Sequence, residues 1–279
     1  MSRRESGGVK TLANLLRWDV AGGSFLPDFY RTKSMKLSFA LLTAIGLAGL
    51  AQFSSAADIT GTVTLNGTPP PEREITPLEA DPICGKLNNG KVFTEFFRVN
   101  KDNKGLADVV VELKGVKAEN ASDSTPPAVL DQKGCLYTPQ ILAIQTGQKL
   151  IVKNSDPATV PMHNVHVNPT APENKEAYST KISQPQMSGG ADLTYTFPAP
   201  ENFMKFNCDV HPWMFAWVTV VDNPYFAVTD ENGKYTIKNV PAGKYKIVAY
   251  HRKAAPNGVE KDVDVSGGNA TVDFTIDVK

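Results

Sequence analysis

A chain of 279 residues with 29 basic and 29 acidic side chains has no excess charge, and 41% hydrophobic content suffices for one large or two modest cores. Its 21 glycines and 20 prolines lie scattered between short Val/Thr/Ile/Tyr runs, which excludes a mainly helical protein and reads as all-β. Residues 1–57 hold seven of the basic and three of the acidic residues, leaving 22 against 26 beyond them, a net −4. A mildly acidic chain without basic clusters argues against nucleic acid or an anionic membrane as partner.

Met35-Lys36 opens a short positive segment, followed by an apolar stretch from Leu37 to Ala51 and the small residues Ser54-Ser55-Ala56-Ala57. That order is the anatomy of a secretory signal peptide over 35–57, cleaved after Ala56 or Ala57, and the apolar stretch is short for a membrane span. Residues 1–34 then read as an extension from a start codon placed too early. Export puts the chain in a periplasmic or extracellular, oxidising compartment, with no transmembrane segment left after cleavage. Three cysteines there allow one pair and one remainder. Cys84 and Cys135 stand in loop-like contexts and Cys208 beside a histidine and a methionine, so the economical assignment is a Cys84–Cys135 disulfide and a functional Cys208 thiolate.

Ile59 to Leu65 alternates and stops at Asn66-Gly67, a strand and a turn. From Pro69 to about Asn103 the pattern is weak. Leu106–Leu113 is a predicted strand and 116–129 an exposed loop. Strands follow at Gln140–Ile144 and Lys149–Asn154, the second broken by Asn154-Ser155-Asp156-Pro157. His163-Asn164-Val165-His166-Val167 and Leu193–Phe197 continue the series. Met204–Cys208 enters a loop, and Phe215–Val221 leaves it. Beyond Asp222-Asn223-Pro224 the strands become compact, from Gly233–Ile237 to Ala270–Ile276, and form a small β-sandwich over 223–279.

The chemical signal is Cys208-Asp209-Val210-His211-Pro212-Trp213-Met214. A thiolate, an imidazole and a thioether lie in one seven-residue loop, and His163 supplies a second imidazole from an earlier strand. Two His and one Cys with a weak axial Met form the ligand set of a type 1 (blue) copper site. Thiolate and thioether hold Cu(I), while imidazole serves both oxidation states. Zinc has little use for a thioether. Pro212 stiffens the loop, and the Asn164 side chain can tie its strand to it. A cysteine hydrolase is disfavoured, because Cys208 and His211 share one loop and Met214 would be idle.

Cys-x-x-His-Pro-x-Met downstream of His-Asn-Val-His resembles the amicyanins, and plastocyanins share the broader pattern. The resemblance covers roughly residues 140–222. It implies a cupredoxin Greek-key sandwich over 58–222, His163 rather than His166 as first ligand, and one type 1 copper ion. Two departures stand out: Met162 where amicyanins have proline, and a stretch from 58 to 130 longer than a small cupredoxin needs. That stretch adds strands or covers the site. Gly233-x-Tyr235-x-Ile237 and Val240-Pro241-Ala242-Gly243-x-Tyr245 resemble the carboxypeptidase regulatory-like (transthyretin-like) domains, which are usually structural or adhesive. The resulting expectation is a non-enzymatic periplasmic electron carrier working with redox proteins, a dehydrogenase or a cytochrome, with His211 as electron port. The alternative is a copper-binding or envelope-associated module that attaches to protein or carbohydrate through its C-terminal sandwich.

Overall fold

The computed structural model describes residues 56–279 apart from 117, 161, 181 and 279. The extension over 1–34, and all but the last two residues of the expected signal peptide, lie outside the described residues. In chain order the elements are β1 (Ala57–Asn66), α1 (Thr76–Ala80), α2 (Cys84–Leu87), β2 (Val110–Lys114), β3 (Ala128–Lys133), β4 (Leu136–Thr138), β5 (Ile141–Gln145), β6 (Leu150–Asn154) and β7 (Met162–Asn168). They continue with α3 (Pro172–Ala177), β8 (Ser183–Met187), β9 (Leu193–Tyr195), β10 (Glu201–Asn207), β11 (Phe215–Val221) and β12 (Phe226–Val228). The last are β13 (Lys234–Val240), β14 (Lys244–His251), β15 (Ala255–Asp264), β16 (Ala270–Thr271) and β17 (Phe274–Asp277). No helix among the described residues is long and apolar enough to cross a membrane.

These strands form two sandwiches. In the first, a five-stranded sheet ordered β5-β11-β10-β7-β8 faces a four-stranded sheet ordered β4-β3-β6-β9. The core between them holds Leu130, Leu150 and Val152 from one sheet and Val165, Val167, Phe206, Ala216 and Val218 from the other. This is the expected all-β sandwich. Side chains alternate in and out along a strand, and that period aims the chemistry. Met204 and Phe206 point inward on β10, and Cys208 is next in the same phase. On β11 the inward series Val220, Val218, Ala216 runs back to Met214. On β7 it is Val167, Val165, His163. Three strands therefore deliver three ligand-type residues to one end of one core.

The second sandwich follows a division different from the one drawn at residue 222. Its sheets are β13-β1-β16, with β17 also paired to β1, and β12-β2-β14-β15. β1 and β2, expected as an elaboration of the first sandwich, belong to the second. β1 pairs antiparallel with β13 and parallel with β16 and β17, while β2 lies between β12 and β14. Ile59, Val63 and Leu65 of β1 and Val111 and Leu113 of β2 share a core with Ile237, Ile247, Val263 and Phe274. Full burial of each such aliphatic side chain is worth about 1.5–3 kcal/mol. The chain thus begins the second sandwich, departs at residue 115 to build the first, and returns at β12. Local alternation marked both strands, but it carries no information about a partner more than 100 residues away.

Residues 72–95, between β1 and β2, fold as a small lobe. Glu74 bridges Phe93, and the Ile75 N–H donates to the Val92 carbonyl at 2.8 Å. The Asp81 carboxylate accepts the Ile83 and Cys84 N–H groups at 2.9 and 2.7 Å and starts α2. The lobe is fastened to the first sandwich by the expected Cys84–Cys135 disulfide, with S–S 2.09 Å. Ile75, Leu78, Cys84, Cys135 and Val160 form its buried centre, against which Leu87, Val92 and Trp213 pack.

Candidate metal centre

The structure brings His163, Cys208 and His211 together, all buried. The two Nδ1 atoms are 2.9 Å apart, and Cys208 Sγ lies 4.0 Å from His163 Nδ1 and 3.6 Å from His211 Nδ1. A triangle with these edges has a circumradius of about 2.1 Å, so one point lies that far from all three donors; zinc–imidazole and zinc–thiolate bonds, whose lengths copper's resemble, are about 2.0–2.3 Å. The donors therefore fit a trigonal metal ion without rearrangement. Met214 is fully buried at the close of the loop. Its N–H donates to the His211 carbonyl at 2.9 Å, and its own carbonyl accepts from Cys208 N–H at 3.1 Å. The loop thus turns back on itself and returns the thioether residue to the neighbourhood of the thiolate. A donor set of two imidazoles, one thiolate and a nearby thioether selects copper over zinc by softness.

Asn164 does what its position promised. Its backbone N–H points at Cys208 Sγ at 3.4 Å, its side-chain oxygen accepts the Asp209 N–H, and its side-chain NH₂ donates to Asp209 at 2.7 Å. The strand of the first ligand is thereby laced to the loop of the others. His166 lies outside the cluster; it faces outward and pairs with Asp209 at 2.9 Å. His251 is buried in the second sandwich, where its Nδ1 accepts the Ala254 N–H at 3.1 Å and its ring meets Phe97. Burial, then Arg252, pushes its pKa down to about 4.

One contributor escaped the sequence reading, and a second was foreseen there only as a long stretch that adds strands or covers the site. Asp156, read there only as part of a turn, is a buried carboxylate 2.8 Å from His163 Nε2. It also accepts the N–H groups of Gly134 and Cys135. It fixes the ring so that Nδ1 faces the ligand triangle, and it joins that ligand to the disulfide loop. The second contributor is the lobe. Both disulfide sulfurs lie within 4.8 Å of a His211 ring nitrogen. His211, expected as the ligand nearest solvent, is only 8% exposed. It is still the most exposed of the four ligand-type residues, as expected, while the extra length before residue 130 both adds strands and packs a disulfide against its ring. Cys84 and Cys135 are consumed by their disulfide and offer no thiolate to a metal.

The charges inside the triangle are coupled. Burial pushes the Cys208 thiol up, but hydrogen bonds to His163, His211 and the Asn164 N–H outweigh it and bring its pKa to about 6. Burial opposes the His163 imidazolium, but Asp156 and Cys208 outweigh it and raise the pKa to about 9. The metal-free site is therefore a thiolate–imidazolium pair at neutral pH, and the thiolate is the form that binds metal.

The family profile described as "Polysaccharide lyase family 4, domain II" matches residues 217–272, part of β11 and most of the second sandwich. That is a different module from the carboxypeptidase regulatory-like domain that the C-terminal motifs resembled. No curated protein matches the chain. Among solved structures, the copper-containing nitrite reductase of Thermus scotoductus SA-01 is 19% identical with a TM-score of 0.29; the match covers 38% of this chain and 25% of that one. A purple cupredoxin from Nitrosopumilus maritimus is 21% identical with a TM-score of 0.26, over 34% of this chain and 99% of its own. An amicyanin variant in the Cu(I) form is 16% identical with a TM-score of 0.27, over 40% and 98%. The chain spans about a quarter of the nitrite reductase and nearly all of the two small proteins.

Proposed function

We propose that this protein holds one type 1 copper ion through His163, Cys208, His211 and Met214 and passes single electrons without changing a substrate. The observation that carries this reading is the convergence of two Nδ1 atoms and one thiolate on a single buried point. Copper bound there would supply a Cu(I)/Cu(II) couple. The chain's own residues supply rigidity: Asp156 holds His163, Asn164 holds the loop, and the sandwich core holds the three strands behind them. A buried, pre-shaped site resists rearrangement between oxidation states, which is what fast electron exchange needs. The burial of His163, Cys208, His211 and Met214 supports a non-enzymatic reading. The expected setting is periplasmic or extracellular, with redox proteins as partners.

The test is the absorption and EPR spectrum of the Cu(II)-loaded protein beside Cys208→Ala. The expected result is an intense thiolate-to-copper band with narrow copper hyperfine splitting, both absent from the variant. A colourless protein, or a weak tetragonal spectrum indifferent to the substitution, overturns the proposal. Reversible voltammetry of the blue protein then separates a carrier from a copper-holding module, which would surrender its metal to a chelator instead.

A further inference from the structure

The lobe over His211 raises a question that the ligand set does not answer: where an electron crosses the surface. Electron tunnelling weakens steeply with distance, so the route must start at a group that touches both the ligand cluster and solvent. His211 meets the second condition only narrowly: it is 8% exposed, and both sulfurs of the Cys84–Cys135 disulfide lie within 4.8 Å of a ring nitrogen. His163 is fully buried, with Asp156 behind it.

Trp213 meets both conditions, the second more fully than His211 does. Its ring centroid is 5.3 Å from that of His211. It is half-buried and packs against the core of the first sandwich on one side and the lobe on the other. Its Nε1–H donates to the Cys135 carbonyl at 3.1 Å, so the disulfide loop fixes the ring's orientation. The ring also lines a cleft of about 330 Å³ whose other walls include Ile75, Pro77, Pro212 and Phe215. That cleft is a shallow apolar depression at the foot of the ligand loop, with Pro77 and Pro212 exposed. An aromatic ring held between a ligand and an apolar surface is both a short tunnelling bridge and a dry contact for a partner.

We infer that Trp213, and not the edge of His211, is the port through which electrons enter and leave, and that the lobe tied by Cys84–Cys135 moved the port there by covering His211. The inference rests on the copper reading above. One electron leaves the reduced site for a one-electron oxidant; no bond forms or breaks and no proton moves. Trp213 is a positioning residue here, because it holds no ligand atom.

The experiment is stopped-flow oxidation of the reduced, copper-loaded full chain by tris-phenanthroline cobalt(III), an apolar-faced one-electron oxidant that becomes cobalt(II). The blue spectrum of the wild type is recorded first. Its absence removes the copper reading and this inference together, before any variant is made. Given the blue spectrum, Trp213→Leu is expected to keep the band and the reduction potential while the rate falls about tenfold, equivalent to about 1.4 kcal/mol of barrier. Trp213→Phe, which keeps a ring, should recover most of the rate. An unchanged rate in Trp213→Leu overturns the inference. If the leucine variant loses its band, Pro77→Lys decides. A cation on the far wall of the cleft should slow the cationic oxidant much more than the same charge placed by Ser266→Lys on the second sandwich, and equal rates overturn the inference. A metal-independent check uses the metal-free chain with Trp18 and Trp217 changed to Phe. Acrylamide should quench the remaining Trp213 emission, and an unquenched indole overturns its role as a surface contact.

Discussion

Within the ligand triangle the Cys208 and His163 charges form a balanced pair. The folded pKa of His163 is raised from 6.5 to about 9, so its contribution to stability is full below 6.5 and is lost as pH rises through 9. The folded pKa of Cys208 is lowered from 9.0 to about 6, so its contribution is full above 9 and is lost as pH falls through 6. Over the shared window, roughly pH 6.5 to 9, one contribution falls while the other grows. The metal-free protein should therefore show nearly level stability across that window by urea unfolding at stepped pH. A fall approaching about 1.4 kcal/mol per pH unit would mean that Cys208 stays protonated in the folded protein, and a rise of that size would mean that His163 is neutral there. The four ligand-type residues were legible because three sit in one loop, where spacing is geometry, and the fourth adjoins an asparagine that could lace the strands. Asp156 was not legible in that role. An aspartate before a proline reads as a turn, and only packing against the Gly134–Cys135 loop makes its carboxylate a buried acceptor for the His163 ring.

One covalent bond secures the lobe. α1 and α2 have five and four residues, too short to persist alone. Their centre holds only a handful of buried side chains. The Cys84–Cys135 bond closes a loop of 51 residues, and a loop of that length is worth about 4 kcal/mol in chain entropy, with measured values typically about 2–4. Changing both cysteines to alanine should lower the unfolding free energy by about 2–4 kcal/mol in denaturant titrations. It should also loosen the lobe from His211, so that the copper-loaded double variant changes its visible spectrum on adding azide while the wild type does not. Equal stability, or an azide response in both, would show that the lobe stays seated, or never seals the site, without help from the disulfide. The pairing was legible by elimination among three cysteines. The lobe was not, because its weak hydrophobic pattern becomes a core only against Leu136, Val160 and Trp213 of the first sandwich.

At the scale of the whole molecule, the second sandwich is interrupted by the first. A cut at 222 looks natural in the sequence, where the turn Asp222-Asn223-Pro224 separates two families of strands. In the fold that cut removes β13 and the parallel partners β16 and β17 from β1, and β12 and β14 from β2. Ile59, Val63, Leu65, Val111 and Leu113 lose the other half of their core. β1 fits so closely between its neighbours that a Cβ added at Gly61 would overlap the Val272 carbonyl, so this pairing is integral rather than a loose contact. A chain ending at residue 222 should therefore keep its ligands in sequence but expose two apolar strands with open edges, the condition for edge-to-edge association. It should appear in the insoluble fraction, or as larger species by light scattering than the full chain forms. Co-expression with residues 223–279 as a separate piece should restore solubility, because the missing strands can pair in trans. A soluble, well-folded 1–222 fragment would overturn this account and make the first sandwich an independent unit. The lobe that packs against His211 hangs between β1 and β2, so the second sandwich holds both of its ends beside the His163–Cys208–His211 cluster.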